Sequence, residues 1–167
     1  TYFDTLRPIE EYNQITTDEP WEGRNYSLFA FLADVRNSHN IKPLDQPRGL
    51  PKDVSDDVKK GSKEWGEDGH SHSYFTLQEL LDVDWDFTVI KQEGLVDPKN
   101  YELFKKTNRP YSWCQGTTAT DYKRIKWNVS LRDFCSSFVD SLYVLKEWGR
   151  KNNKEPKDIR LVFWFDN

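Results

Sequence analysis

The final stretch, IRLVFWFDN (159–167), constrains the fold of this chain more than any other. Ile159, Leu161, Phe163 and Phe165 alternate with Arg160, Val162 and Trp164, and both sets are largely apolar. Successive side chains of a strand point to opposite faces, so a run apolar on both parities needs cover on both sides. It predicts a strand covered on both faces, central in a sheet. Just upstream, SLRDFCSSFVDSLYVLKEWG carries Leu131, Phe134, Phe138, Leu142 and Leu145 at three and four residue spacings. Ser130 with Asp133 three residues on resembles a capping box, and Gly149 suits a left-handed stop. This stretch predicts an amphipathic helix, with Cys135 on its apolar side.

Weaker signals fill in the rest. Thr76 with Glu79 at the capping-box position predicts a short helix over TLQELLDV, directly after the histidine-bearing stretch. DWDFTVIK alternates Trp85, Phe87 and Val89 and reads as a strand. Asp97 and Pro98 fit the cap and first position of a helix reaching about Lys106. YSLFAFLADVRN is ambiguous between helix and buried strand, and its alanines and length favour a helix. From Asn37 to Gly69 the chain contains Pro43, Pro47, Gly49, Pro51, Gly61, Gly66 and Gly69, and reads as a long ordered excursion with little regular structure. These elements predict a single α+β domain over 1–167, with a mixed sheet, a few packed helices and a long ordered loop region at 37–69.

Two cysteines, Cys114 and Cys135, form no metal-ligand spacing and no disulfide framework, which points to a reducing compartment. The aromatic neighbours of Cys114 in YSWCQGTT favour a structural thiol over a reactive one. No apolar stretch approaches the ~18 residues of a membrane helix. TYFDTLRPIEEY lacks the layout of a signal peptide, so a soluble, non-exported protein is expected.

The net charge of -4 argues against a general coat for genomic nucleic acid, which depends on neutralising many phosphates. The average conceals an asymmetry. Residues 1–98 carry 10 Lys+Arg against 20 Asp+Glu, residues 99–132 carry 8 against 2, and residues 133–167 carry 6 against 6. The basic segment also holds Tyr101, Phe104, Tyr111, Trp113, Tyr122 and Trp127. Cations attract phosphate and ring faces stack on bases, so the combination suits a nucleotide or short single strand. The plain alternative is lysines solvating a surface over rings that fill a core.

Four stretches, GRNYSLFAFLADVRN, IKPLDQPRGLPKDVS, DGHSHSYFTLQELL and IRLVFWFDN, resemble a family of small bacteriophage-encoded proteins. The likeness spans most of the chain, with little from residues 96–127. It implies a phage origin and action in the cytoplasm of the bacterial host, and it carries over no catalytic residue. Among small phage proteins, one recurring class binds the nucleotide signals of host defence without destroying them. Such a binder needs a deep polar pocket with fixed phosphate donors and flat groups for the base. The candidate donors are Arg24, Arg36, Arg48, Arg109 and Arg124, and the candidate stacking groups are Tyr26, Trp65, Tyr74, Tyr111 and Trp113. For any single arginine, pairing with a surface carboxylate is the competing explanation.

In WGEDGHSHSYFT, residues two apart on an extended segment share a side, so His70 and His72 can approach one metal with Asp68. His39, Asp34 or Asp121 would have to complete such a site, which could activate water for hydrolysis. The preferred reading is a pocket-shaping loop leading into a helix, with His70 and His72 among the ligand-binding residues. No G-x-S-x-G elbow, P-loop or G-x-G-x-x-G is present. The expectation is a non-enzymatic binder of a small anionic, nucleotide-like ligand that needs no cofactor, and self-association stays open. A metal-dependent hydrolase and a protein that docks on a host protein are the alternatives.

Overall fold

The computed structural model describes residues 2–6, 12–14 and 24–166. The stretch read for a signal peptide lies partly outside them. In chain order the elements are β1 (Tyr2–Leu6), β2 (Tyr12–Gln14), α1 (Tyr26–Ala33), α2 (Asp56–Glu64), β3 (His70–Thr76), α3 (Leu77–Leu81), β4 (Val89–Val96), α4 (Pro98–Thr107), β5 (Lys123–Ser130), α5 (Leu131–Lys151) and β6 (Ile159–Phe165). The fold is α+β. All strand pairings among the described residues are antiparallel, in a four-stranded sheet ordered β2-β1-β6-β3 and a β4-β5 hairpin, in place of one mixed sheet.

β6 is central, between β1 and β3, as its two-sided apolar pattern requires. Ile159, Leu161, Phe163 and Phe165 enter the main core with residues of α1, α3 and α5, including Leu28, Leu80, Phe138 and Leu142. On the opposite parity Val162 joins Val54 and Val58, with Tyr74 and Trp164 packed beside them.

Local hydrogen bonding explains where the helices begin. Ser130 accepts from the Asp133 N–H to open α5, Asp97 accepts from Asn100 to open α4, and Thr76 and Glu79 form the reciprocal capping box of α3. Asn25 caps α1 by accepting from Leu28 N–H. α5 kinks at Cys135, where φ is -121°, and burial pushes that thiol up to about 12. The helix then runs on through Gly149. Gly149 is therefore not a left-handed stop: a Cβ there would meet Ile159 Cδ1 at 2.8 Å and the Lys154 carbonyl at 2.9 Å, so glycine permits a close approach.

Three further expectations need correction. The 37–69 region contains α2 and a short 3-10 turn at Gly66–Asp68, so it is irregular only up to α2. Val58 is the only buried apolar side chain of α2, and Gly61 lies inside it, which hid the helix from periodicity. The strand expected from Trp85 begins instead at Val89; Trp85 is buried within a turn, while Phe87 and Val89 are exposed. The histidine stretch is not a loop. It is β3, paired with β6 along the sheet edge.

Candidate functional site

β3 carries the first test of the predicted site. Its register with β6 slips between His70 and Ser73: Ser73 pairs with Phe163 and His70 with Phe165, so two residues, Ser71 and His72, oppose one, Trp164. Ser71, at φ 52°, is the extra residue of this bulge. One inserted residue reverses side-chain parity. The His72 ring stacks on Trp164 at 5.6 Å, while His70 lies 6.2 Å from Phe165, the neighbouring β6 residue of opposite parity. The two histidines thus occupy opposite faces of the sheet, and the shared metal position inferred from their spacing does not form. Among the described residues no group of three His, Cys, Asp or Glu side chains is placed to hold a metal ion. His72 instead bonds Ser62 of α2 at 2.9 Å, and burial, reinforced by the nearby His70, lowers its pKa.

The remaining candidates separate into distinct places. Arg36 donates to the Tyr26 hydroxyl at 3.0 Å, an exposed local pair beside α1. Arg48 is locked between Asp45 at 2.9 Å and Glu79 at 2.8 Å, and its guanidinium lies 4.5 Å from the Phe75 ring centroid. The Glu79 bond raises the Arg48 pKa, so this arginine joins the loop before α2 to α3. Tyr74 lies between Arg48 and Arg160, and Arg160 reaches Asp53 at 2.9 Å. Arg24 and Trp65 are exposed, and Arg124 pairs with Glu93 across the hairpin at 3.2 Å. None of these groups lines the cleft described next.

Arg109 and Trp113 do meet. α4 ends at Asn108 in a left-handed conformation, and the chain then passes through Arg109, Pro110 and Tyr111 to Cys114. Cys114 is fixed by two backbone bonds to Leu95 of β4, at 2.8 and 2.9 Å. This strap lies against the inward side of the hairpin. There Trp113 meets Trp127 edge to face at 5.3 Å, and its ring lies so close to Gly94 that a Cβ would come within 2.6 Å of it. A cleft of about 340 Å³ opens where the strap, β5 and the start of α5 converge, lined by Arg109, Pro110, Trp113, Trp127, Val129, Asp133 and Phe134. Clefts of this size suit a nucleotide-sized ligand.

The walls combine indole and phenyl surface with one ion pair. Arg109 donates to Asp133 at 2.8 Å, with the Arg109 side chain largely in water and that of Asp133 a little under half exposed. Exposed pairs of this kind contribute about 0.2–1 kcal/mol, so an incoming anion can draw Arg109 away at little cost. One wall is braced from outside: the Asn25 amide donates to the Phe134 carbonyl, tying α1 to the cleft.

Tyr111 projects from the strap at 87% exposure and does not line the cleft. Trp127, Pro110, Val129, Asp133 and Phe134 were not among the predicted site residues. The basic, ring-rich character of 99–132 was the signal for the first three, since all lie within it. Asp133 and Phe134 had been assigned to capping and core. No family model, curated protein or solved structure matches this chain. No helix among the described residues is long and apolar enough to cross a membrane.

Proposed function

We propose that this chain is a non-enzymatic binding protein that sequesters a small anionic ligand with a planar group, of the nucleotide-derived class, in the cleft of Arg109, Trp113, Trp127 and Phe134. One observation carries the reading: the strap brings a guanidinium and aromatic surface to a single cleft of nucleotide size. A base stacks on the half-exposed Trp113 while Arg109 exchanges Asp133 for a phosphate oxygen. The lining favours holding over cleaving, because Asp133 is its one carboxylate and no histidine or cysteine stands with it as a partner for acid–base work. The likeness to phage-encoded proteins supports an action in the host cytoplasm as a sponge for a nucleotide immune signal.

The test is a calorimetric titration with a panel of linear and cyclic nucleotides, followed by heat denaturation and chromatography of the released ligand. Unchanged ligand supports sequestration, and a new product identifies an enzyme. Arg109→Ala is expected to lower affinity about tenfold, or roughly 1.4 kcal/mol, the low end for a charge-assisted bond at a solvated site. Absence of binding by every nucleotide, with a host protein captured instead, refutes the reading and favours docking.

A further inference from the structure

β5 has β4 as its one strand neighbour among the described residues, and outside that ladder residues 124–128 make no backbone hydrogen bond among them. The far side of the hairpin shows which backbone groups this leaves open. Leu95 exchanges both of its backbone bonds with Cys114, so its N–H and C=O point away from β5, and Leu95 with Arg124 is a non-hydrogen-bonded pair of the ladder. Such pairs recur at every second residue of an antiparallel ladder, which makes Glu93 with Lys126 and Lys91 with Asn128 pairs of the same kind. Arg124, Lys126 and Asn128 therefore turn their N–H and C=O groups out along the free edge. Their side chains are exposed on the outer face, while Ile125 and Trp127 between them are buried. The edge of β3 differs: Gly49 N–H donates to the His72 carbonyl and Arg48 N–H to Ser73 Oγ, so a loop lies along it. An open edge is a template for a further strand.

Charge decides what that strand can be. The outer face of the hairpin carries Lys91, Arg124 and Lys126 against one carboxylate, Glu93, which already serves Arg124 at 3.2 Å and Lys126 at 3.7 Å. A second copy paired antiparallel through Lys126 would set that lysine against itself, and like charges directly opposite each other destabilise a ladder. No aromatic side chain shares the outer face by strand parity, so it offers a nucleic acid base nothing to stack on. A strand with carboxylates at every second position meets both demands, because one of its faces then matches the cations along its whole length. We propose that the β5 edge binds an extended acidic segment of a partner protein by strand addition, with its backbone pairing to Arg124, Lys126 and Asn128 and its carboxylates beside Arg124 and Lys126. The proposal is independent of the nucleotide reading, since none of these three residues lines the Trp113 cleft.

The probe is a peptide as long as β5, with blocked ends and alternating glutamate and valine, titrated calorimetrically at low salt. It is compared with a lysine-for-glutamate peptide and with two forms methylated on the backbone nitrogens, one at every glutamate and one at every valine. The glutamate peptide is expected to bind roughly tenfold more tightly than the lysine peptide. It should also slow amide exchange at Arg124, Lys126 and Asn128. Only one edge of an added strand faces β5, so one methylated form should lose binding while the other keeps it. The double variant Arg124→Ala/Lys126→Ala, altered only at exposed positions, should reduce the preference for glutamate severalfold. The proposal is overturned by a glutamate peptide that does not bind, by methylated forms that both bind or both fail, or by a preference that the double variant leaves unchanged. Retained binding in both methylated forms identifies charge attraction without strand pairing.

Discussion

Replacing Gly94 by alanine is a sensitive probe of the strap that forms the cleft. Gly94 sits in β4 opposite Ile125, in a backbone conformation open to any residue, so alanine is not strained by its own dihedrals. A Cβ there would lie 2.6 Å from Trp113 Cε3 and 3.3 Å from the Cys114 carbonyl oxygen. Carbon atoms pack at about 3.5–4.0 Å, so the indole must retreat by roughly 1 Å. The backbone cannot share the movement cheaply, because Cys114 is held to Leu95 by two hydrogen bonds. Overpacking of this kind costs about 1–3 kcal/mol. Removing a glycine from a strand interior returns about 0.5–1 kcal/mol, leaving a net destabilisation of roughly 0–2.5 kcal/mol. Urea unfolding followed by tryptophan fluorescence measures it, since Trp113 and Trp127 report on the same contact. In a Trp113→Ala background the clash is gone, and Gly94→Ala should become neutral or stabilising, a coupling that a double-mutant cycle isolates. If Gly94→Ala is as stable as the wild type in both backgrounds, Trp113 does not pack on β4 and the cleft lacks its aromatic wall.

Gly149→Ala should destabilise by about 1–3 kcal/mol in chemical denaturation, although alanine usually strengthens a helix interior, because its Cβ would collide with Ile159 and the Lys154 carbonyl. Asn25→Ala should cost about 1–2 kcal/mol by the same measurement, since it removes both the α1 cap and the tie to Phe134. Acidification should weaken the fold through His72, whose folded pKa lies below the ordinary value of 6.5. Above 6.5 both states are neutral and the contribution is complete; below it the unfolded chain takes up the proton first, and stability falls until the folded pKa is passed. Urea midpoints between pH 5 and 8 should show this fall, and His72→Gln should shrink it; an unchanged pH profile in that variant refutes the assignment.

Helix starts were legible wherever the controlling bond is short in sequence. Ser130 to Asp133, Asp97 to Asn100 and Thr76 to Glu79 each close within three residues, so the residue types predict the geometry directly. The central position of β6 was legible for a different reason, because a strand apolar on both parities has no stable exposed face. Burial near Trp85 was not legible in this way. Alternation marked Trp85, Phe87 and Val89 as equivalent, whereas the turn before β4 buries only Trp85, whose indole donates to the Leu80 carbonyl at 2.8 Å.

The candidate site divides along the same line. The sequence by itself determined that cations and rings concentrate in 99–132, and that α5, α4 and α3 begin where they do. Only the tertiary structure decided which of those groups meet. Arg109 and Trp113 come to one cleft because Cys114 pairs with Leu95, 19 residues away, and because α5 begins beside Trp127. A single bulge at Ser71 sends His70 and His72 to opposite faces, reversing what their spacing implied. Caps depend on hydrogen bonds within one turn of chain; a cleft and a strand's parity depend on register with partners remote in sequence, which the residues of either segment alone do not encode.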